Sequence, residues 1–266
     1  MNIFNSKIRY LLLIVLVLSV LVIVLTLQED LFQPATPLPE AVNREYFDKK
    51  LNTNESTSSS EKEIISSDED NDLDSEKLDL PNSINLNVPF VVQAPFADWK
   101  MPYQEACEEA SLLMVVGYLN GKKAYTHEEI KKEIDNLVVY QEKLYGSHKD
   151  LNLTETGELA KNYWQLSYKI ISDLDIDKIK SELSKGNPVI IPAAGRLLGN
   201  PNFRGEGPIY HMLVIKGYHN DYFITNDPGT KNGENYVYTT DKLLSAIADW
   251  VDNAPTGPKV GLILSK

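Results

Sequence analysis

A single cysteine, Cys107, stands in 266 residues, which excludes an intramolecular disulfide, a Cys-rich zinc site and a CxxC redox pair. Packing or reactivity is what remains open to that thiol. Basic residues are also in deficit: 26 Lys and Arg face 38 Asp and Glu, for a formal net charge of -12. Such a balance gives no general electrostatic grip on phosphate backbones, so nucleic acid is a poor partner. A P-loop motif is absent. Long apolar runs are missing too, with one exception near the N-terminus. What is present, 42% hydrophobic and 24% charged residues, is a globular balance that excludes wholesale disorder.

The apolar exception is the 18-residue run from Tyr10 to Leu27, broken only by Tyr10, Ser19 and Thr26. As a helix it would span ~27 Å, about one hydrocarbon core. Lys7 and Arg9 precede it and Glu29 and Asp30 follow, so the positive-inside rule places the short N-terminus in the cytoplasm and everything after residue 27 outside. A cleaved signal peptide is the alternative; its apolar region is usually shorter, and no A-x-A-like site follows the run. Residues 1-27 are therefore read as a cytoplasmic N-terminus and single-pass anchor. Residues 28-83 hold Ser runs, four Pro and 15 Asp and Glu against 5 Lys and Arg. That composition cannot bury enough apolar surface to order itself, so it reads as a disordered tether reaching ~40 Å or more.

Residues 84-266 suit one domain. Leu112, Val115, Val116 and Leu119 recur at helical spacing from near Cys107 to Asn120-Gly121. Thr126 and Glu129 form a capping box before Ile130, Ile134, Leu137 and Val138. Two further helical patterns contain Leu159, Ala160, Tyr163 and Trp164, then Ile176, Ile179 and Leu183 before Gly186. Short β-branched or aromatic runs follow at 189-191, 211-217, 222-225, 236-238 and 260-264. Helices first and strands later predict an α+β domain with helices packed on an antiparallel sheet.

Within that plan Cys107 opens a helix, where unpaired N-H groups and the helix dipole favour a thiolate. Glu105, Glu108 and Glu109 oppose this by like-charge repulsion, so the thiol needs a cationic partner. Of the four histidines, His127 falls in a capping sequence, His148 in a polar loop and His219 in a turn. His211 instead opens an apolar strand. Two hairpin registers are open: a three-residue loop at 218-220 sets His211 opposite Asp227, and a two-residue loop at 219-220 sets it opposite Pro228. In both, Asp227 is within one residue of the facing position, where Cβ atoms lie ~5 Å apart. A carboxylate there can orient the imidazole while its other nitrogen faces a thiol. Asn226 is the alternative orienting residue, since the second register turns it toward His211.

These segments also resemble a known family. Val88-Pro-Phe-Val-Val-Gln93, Ala106-Cys107-Glu-Glu-Ala-Ser-Leu-Leu-Met114, His211-Met-Leu-Val-Ile-Lys-Gly-Tyr218 and Asn226-Asp-Pro-Gly229 are similar, in order, to the signature of cysteine peptidase family 39-like domains, relatives of the bacteriocin-leader peptidases in the papain-like clan. The resemblance covers roughly Asn87 to Leu264. It implies a papain-like fold with Cys107 as nucleophile, His211 as general base, Asp227 as orienting residue and Gln93 as oxyanion donor. Departures from the leader-processing members are Glu108 in place of the Gly that commonly follows the nucleophile, and the 14-residue interval from Gln93 to Cys107. Gln104, three residues before the cysteine, is thus a second oxyanion candidate.

The resulting expectation is a membrane-tethered, extracytoplasmic thiol hydrolase, a peptidase acting on a peptide or protein through an acyl-enzyme, with no metal or cofactor. A peptidoglycan or isopeptide amidase, or an acyl transferase, would use the same triad. A non-catalytic peptide-binding module is the alternative of another class.

Overall fold

The strand signals assemble into one antiparallel sheet. The computed structural model describes residues 37-49 and 80-266. The run at 10-27, read as an anchor, and residues 28-36 and 50-79 of the segment read as a tether lie outside them. Among the described residues no helix is long and apolar enough to cross a membrane.

Strand β1 is Ser83–Asn85, β2 Ser167–Ile171, β3 Val189–Ala194, β4 Tyr210–His219, β5 Tyr222–Asn226, β6 Tyr236–Thr239, β7 Trp250–Val251, β8 Ala254–Pro255 and β9 Gly261–Ser265. The main sheet runs β2-β9-β3-β4-β5-β6, with β1 also paired to β4; β7 and β8 form a separate ribbon. All these pairings are antiparallel. The sheet's central strand, β4, is buried along nine of its ten residues, which explains why its sequence reads as a continuous apolar run rather than an alternation. At Gly217 an added Cβ would sit 2.3 Å from the Ile84 carbonyl oxygen, so β1 can approach only because that side chain is absent.

The helices form where their signals predict. Thr126 and Glu129 make a reciprocal capping box at the start of the His127–Tyr145 helix, which ends at Gly146 in the left-handed region (φ 82°). Asn152 and Glu155 cap the Leu153–Trp164 helix in the same way, and Asp175 caps Ile176–Ser184. The Cys107–Leu119 helix differs from its expected one-faced pattern, because all 13 of its residues are buried. It packs on β4, and the Ser111 hydroxyl donates to the Met212 carbonyl at 3.1 Å. A helix enclosed on every side is apolar all round, and its two consecutive glutamates are carried into the interior.

Two corrections concern the chain's organisation. Part of the segment read as a tether belongs to the domain: Val42 bridges Leu86, residues 44-49 are helical, and Phe47 is 5% exposed within the core. The Arg44 guanidinium donates to the Gly186 carbonyl at 3.2 Å, and the Phe47 ring lies over Gly186. Burial of one Phe side chain stabilises by about 1.5–3 kcal/mol, a local anchor that the acidic average of the whole segment conceals. The second correction is strand β2, unread in the sequence. Its residues are exposed or partly buried with no fully buried position, so it carries little apolar signal.

Candidate active site

Cys107 is the first residue of the enclosed helix, and the preceding Ala106 makes no side-chain cap. First-turn N-H groups have no intrahelical acceptor, which leaves the Cys107 N-H available to a developing oxyanion. The thiol, in a residue 4% exposed, donates to Oε2 of Glu108 at 3.1 Å. Oε1 of Glu108 accepts from the Leu151 N-H at 3.0 Å. Burial first, then the charge and hydrogen bond of Glu108, push the thiol well above its ordinary value. The expected thiolate-favouring helix start is therefore outweighed in this arrangement by dehydration and neighbouring acid.

His211 lies in β4 opposite Ala193 of β3 and is 1% exposed. Its Nε2 is 2.8 Å from Oδ1 of Asp227. A carboxylate at Nε2 calls for the Nε2-H tautomer, leaving Nδ1 as the nitrogen that can take a proton. Oδ1 of Asp227 also accepts from the Gly229 N-H at 3.0 Å. Oδ2 accepts from the Tyr238 hydroxyl at 2.7 Å and from the Asn200 amide at 3.2 Å. Burial alone would raise this carboxyl, but the His211 charge and hydrogen bond, with those from Tyr238 and Gly229, hold it below the usual carboxylate range. Phe203 meets the His211 ring edge-on at 5.3 Å between centroids. Gly229 lies beneath the ring, where a Cβ would come within 2.9 Å of Cε1.

The hairpin that brings Asp227 to His211 departs from both expected registers. His219 pairs with Tyr222, so the turn is Asn220-Asp221, and the register shifts between Ile215 and Gly217. Asn220 adopts φ 52°, a conformation Asn tolerates in tight turns. Pairing ends at Val214 and Asn226, so Asp227 reaches His211 from just beyond the strand end rather than from the opposing rung. Asn226 does not reach it. Its amide donates to the Val88 carbonyl at 3.0 Å, and its carbonyl accepts from the Asn235 N-H at 3.1 Å.

Gln93 is 4% exposed, and its backbone N-H donates to the Pro228 carbonyl at 3.0 Å. Its amide nitrogen donates to the carbonyls of Tyr103 at 3.0 Å and Gln104 at 2.9 Å. Both hydrogens are thus engaged, as a buried amide requires, while its Oε1 has no hydrogen-bond partner. The Gln104 amide donates to Glu105 at the surface. A cavity of about 850 Å³ is lined by Cys107, His211, Gln93, Gln104 and Trp99, among others. Among the described residues no hydrogen bond joins Cys107 to His211.

Several residues escaped sequence reasoning. His148, read as a loop residue, has a side chain 5% exposed, 3.3 Å from the fully buried Glu109 carboxylate. This is an ion-pair distance, although neither imidazole nitrogen is directed for a hydrogen bond. Asp150 lines the cavity, and burial followed by the Glu105 charge raises it to about 6. Tyr238 and Asn200 clamp Asp227 from distant chain positions that no local motif marks.

Residues 85-253 match the model of the Peptidase_C39 like family. No curated protein matches the chain. Among solved structures, the chain is 19% identical to a protein of Bacillus anthracis assigned to the C39-like peptidases, over 70% of this chain and 98% of that one, with a TM-score of 0.46. It is 16% identical to the peptidase domain of Streptococcus ComA, a bi-functional ABC transporter of a quorum sensing pathway, over 61% and 92% of the two chains (TM-score 0.40). A double glycine motif protease from an AMS/PCAT transporter, solved with its leader peptide, is 21% identical over 66% and 90% (TM-score 0.37).

Proposed function

We propose, from the premise that this chain belongs to the Peptidase_C39 like family and is a cysteine peptidase-like hydrolase, that it cleaves peptide substrates through a Cys107-His211-Asp227 triad in a papain-like domain. The observation that carries this reading is the 2.8 Å contact between His211 and a fully buried Asp227, in a cavity wall shared with the only thiol of the chain. Nδ1 of His211 takes the thiol proton as Sγ attacks the scissile carbonyl carbon. The proton then passes to the leaving amine, and a thioester remains on Cys107. Water, deprotonated by the same nitrogen, hydrolyses the thioester and releases the acid. Asp227 holds the tautomer and stabilises the imidazolium. The Cys107 N-H is one oxyanion donor; Gln93 becomes the second by exchanging the Gln104 carbonyl for the substrate oxygen.

The domain works outside the cytoplasm, joined through residues 28-38 to an anchor at 10-27; the charge pattern around that apolar run supports this placement. The test of the catalytic reading is cleavage of a peptide library by the full chain, followed by mass spectrometry. Cys107→Ala and His211→Ala are expected to abolish cleavage and keep the wild-type circular dichroism spectrum. Peptide capture without cleavage by the wild type would instead favour a binding module.

A further inference from the structure

Glu108 occupies the position after the nucleophile, and it is an unusual residue to bury there. It is 0% exposed, and its two carboxylate oxygens are divided between two donors. Oε1 takes the Leu151 N-H, which fixes the side chain, and Oε2 takes the thiol hydrogen of Cys107. The thiol's hydrogen is therefore committed to Glu108 and not to His211, whose Nε2 is in turn committed to Asp227. Deepening the peptidase reading above and resting on it, we propose that Glu108 is the proton partner of Cys107 at rest, and that its protonation state decides when the thiolate forms.

The surroundings supply acid and little base. On the same helix Glu109 is fully buried behind Glu108. From the loop before Leu153 come Asp150, whose charge acts on both Cys107 and Glu108, and His148, which faces Glu109. Glu105, in the turn before the helix, acts on Asp150 and His148. From β4 the Tyr210 hydroxyl donates to the Leu151 carbonyl at 3.0 Å, and Asp249 stands near that tyrosine. Burial, then Glu109 and Asp150, raise Glu108 well above its ordinary value.

Two states follow. While Glu108 is ionised, loss of the thiol proton would set two negative charges in hydrogen-bond contact, so the thiol keeps its proton. Once Glu108 gains a proton, its O-H can donate to a thiolate, and His211 can take the thiol hydrogen without creating adjacent anions. The thiol thus holds its proton more tightly beside an ionised Glu108 than beside a protonated one, and the charge on Glu108 is what separates the two states. Glu108→Gln reproduces the neutral acid permanently, since its carbonyl can keep the Leu151 N-H while its amide donates to sulfur.

The experiment is the pH profile of iodoacetamide alkylation of the single thiol in the full chain, for wild type, Glu108→Gln and Glu109→Gln. The wild-type midpoint is expected above the ordinary thiol value of about 8.5. Glu108→Gln should lower it by at least one pH unit, with alkylation at pH 7 about tenfold faster. Glu109→Gln removes a charge from the same turn without touching the thiol, and should shift the midpoint by less than half as much. A wild-type midpoint below 7, an unchanged or raised midpoint in Glu108→Gln, or equal shifts in the two variants would overturn the proposal. A wild-type midpoint below 7 would overturn the proposal even if Glu108→Gln does not fold. Failure of the peptidase reading has a different signature, namely absence of peptide cleavage by a wild type whose thiol titrates as expected.

Discussion

Replacing Asp227 by Asn removes one charge and almost no volume, which isolates what the carboxylate does. The four donors around it, His211 Nε2, the Gly229 N-H, the Tyr238 hydroxyl and the Asn200 amide, all expect an acceptor. An Asn amide group set toward Asn200 and Tyr238 meets the donating Asn200 nitrogen. Turned the other way, it meets the Gly229 N-H and donates to Nε2 of His211. That second arrangement moves the imidazole proton to Nδ1, the nitrogen proposed to accept from the thiol. Either choice leaves one buried donor against another, at about 1–3 kcal/mol, and loses a charge-assisted bond of about 1.5–3 kcal/mol. The sum is roughly 2.5–6 kcal/mol of stability, which brackets the range of about 3–5 kcal/mol for breaking a buried ion pair. Activity should suffer more. Loss of the orienting carboxylate lowers turnover by up to ~10⁴ in an analogous serine triad, so kcat/KM here should fall by about 10²–10⁴-fold. The sign of the pH effect is fixed by the depressed carboxyl: its stabilisation is fully present above the ordinary Asp value of about 3.9 and is lost as pH falls toward the folded-state value. The acid limb of a urea-stability profile should therefore flatten in Asp227→Asn. The assays are peptide turnover, urea unfolding against pH, and ¹⁵N chemical shifts of His211, which read the tautomer. A loss of activity under threefold in a folded variant that keeps its Nε2-H tautomer would refute this account of Asp227.

Gln93→Ala should lose kcat by ~100–1000-fold, the scale of one oxyanion donor, with a smaller change in KM, whereas Gln104→Ala should change kcat much less; steady-state kinetics showing the reverse ranking would overturn the assignment. Protease added to intact cells should cut within residues 28-38 or 50-79 and release the C-terminal domain, because the acidic, Ser-rich composition there offers susceptible backbone; release that requires lysis would sink the proposed orientation.

What the sequence disclosed was whatever is written locally. Capping boxes such as Thr126 with Glu129 are four-residue objects, and the structure forms this one as read. The helix from Cys107 and the strand at His211 were legible because apolar periodicity and turn residues bound them. The hairpin was legible as a hairpin, but its register was not. Asn220 and Asp221 compete with His219 and Asn220 as the turn pair, and the irregularity near Lys216 shifts every later rung by one. Asp227 still meets His211 because a side chain beyond the strand end has more reach than a fixed rung. Phe47 was invisible for the converse reason: one aromatic anchor in an acidic stretch changes no average, although it packs against Gly186, far along the chain.

The character of the nucleophile's surroundings was the least legible part, and the reason is geometric. Glutamates in a first helical turn ordinarily face water, where they complement the dipole and are screened. Here the helix is covered on all sides, by β4 on one and by neighbouring helices and the 146-152 loop elsewhere, so Glu108 and Glu109 are both fully buried. Only the loop reveals what they meet. It brings the Leu151 N-H to Glu108 and His148 to Glu109, each more than 35 positions away in the chain. The cation that the sequence required for Cys107 is therefore divided: His148 faces the second glutamate, His211 faces Asp227, and the thiol is left with an acid. On the proposed reading, a helix start that should favour a thiolate instead stores the proton. The chemistry proposed for this site thus depends less on the presence of a cysteine, a histidine and an aspartate than on which carboxylate each proton partner faces.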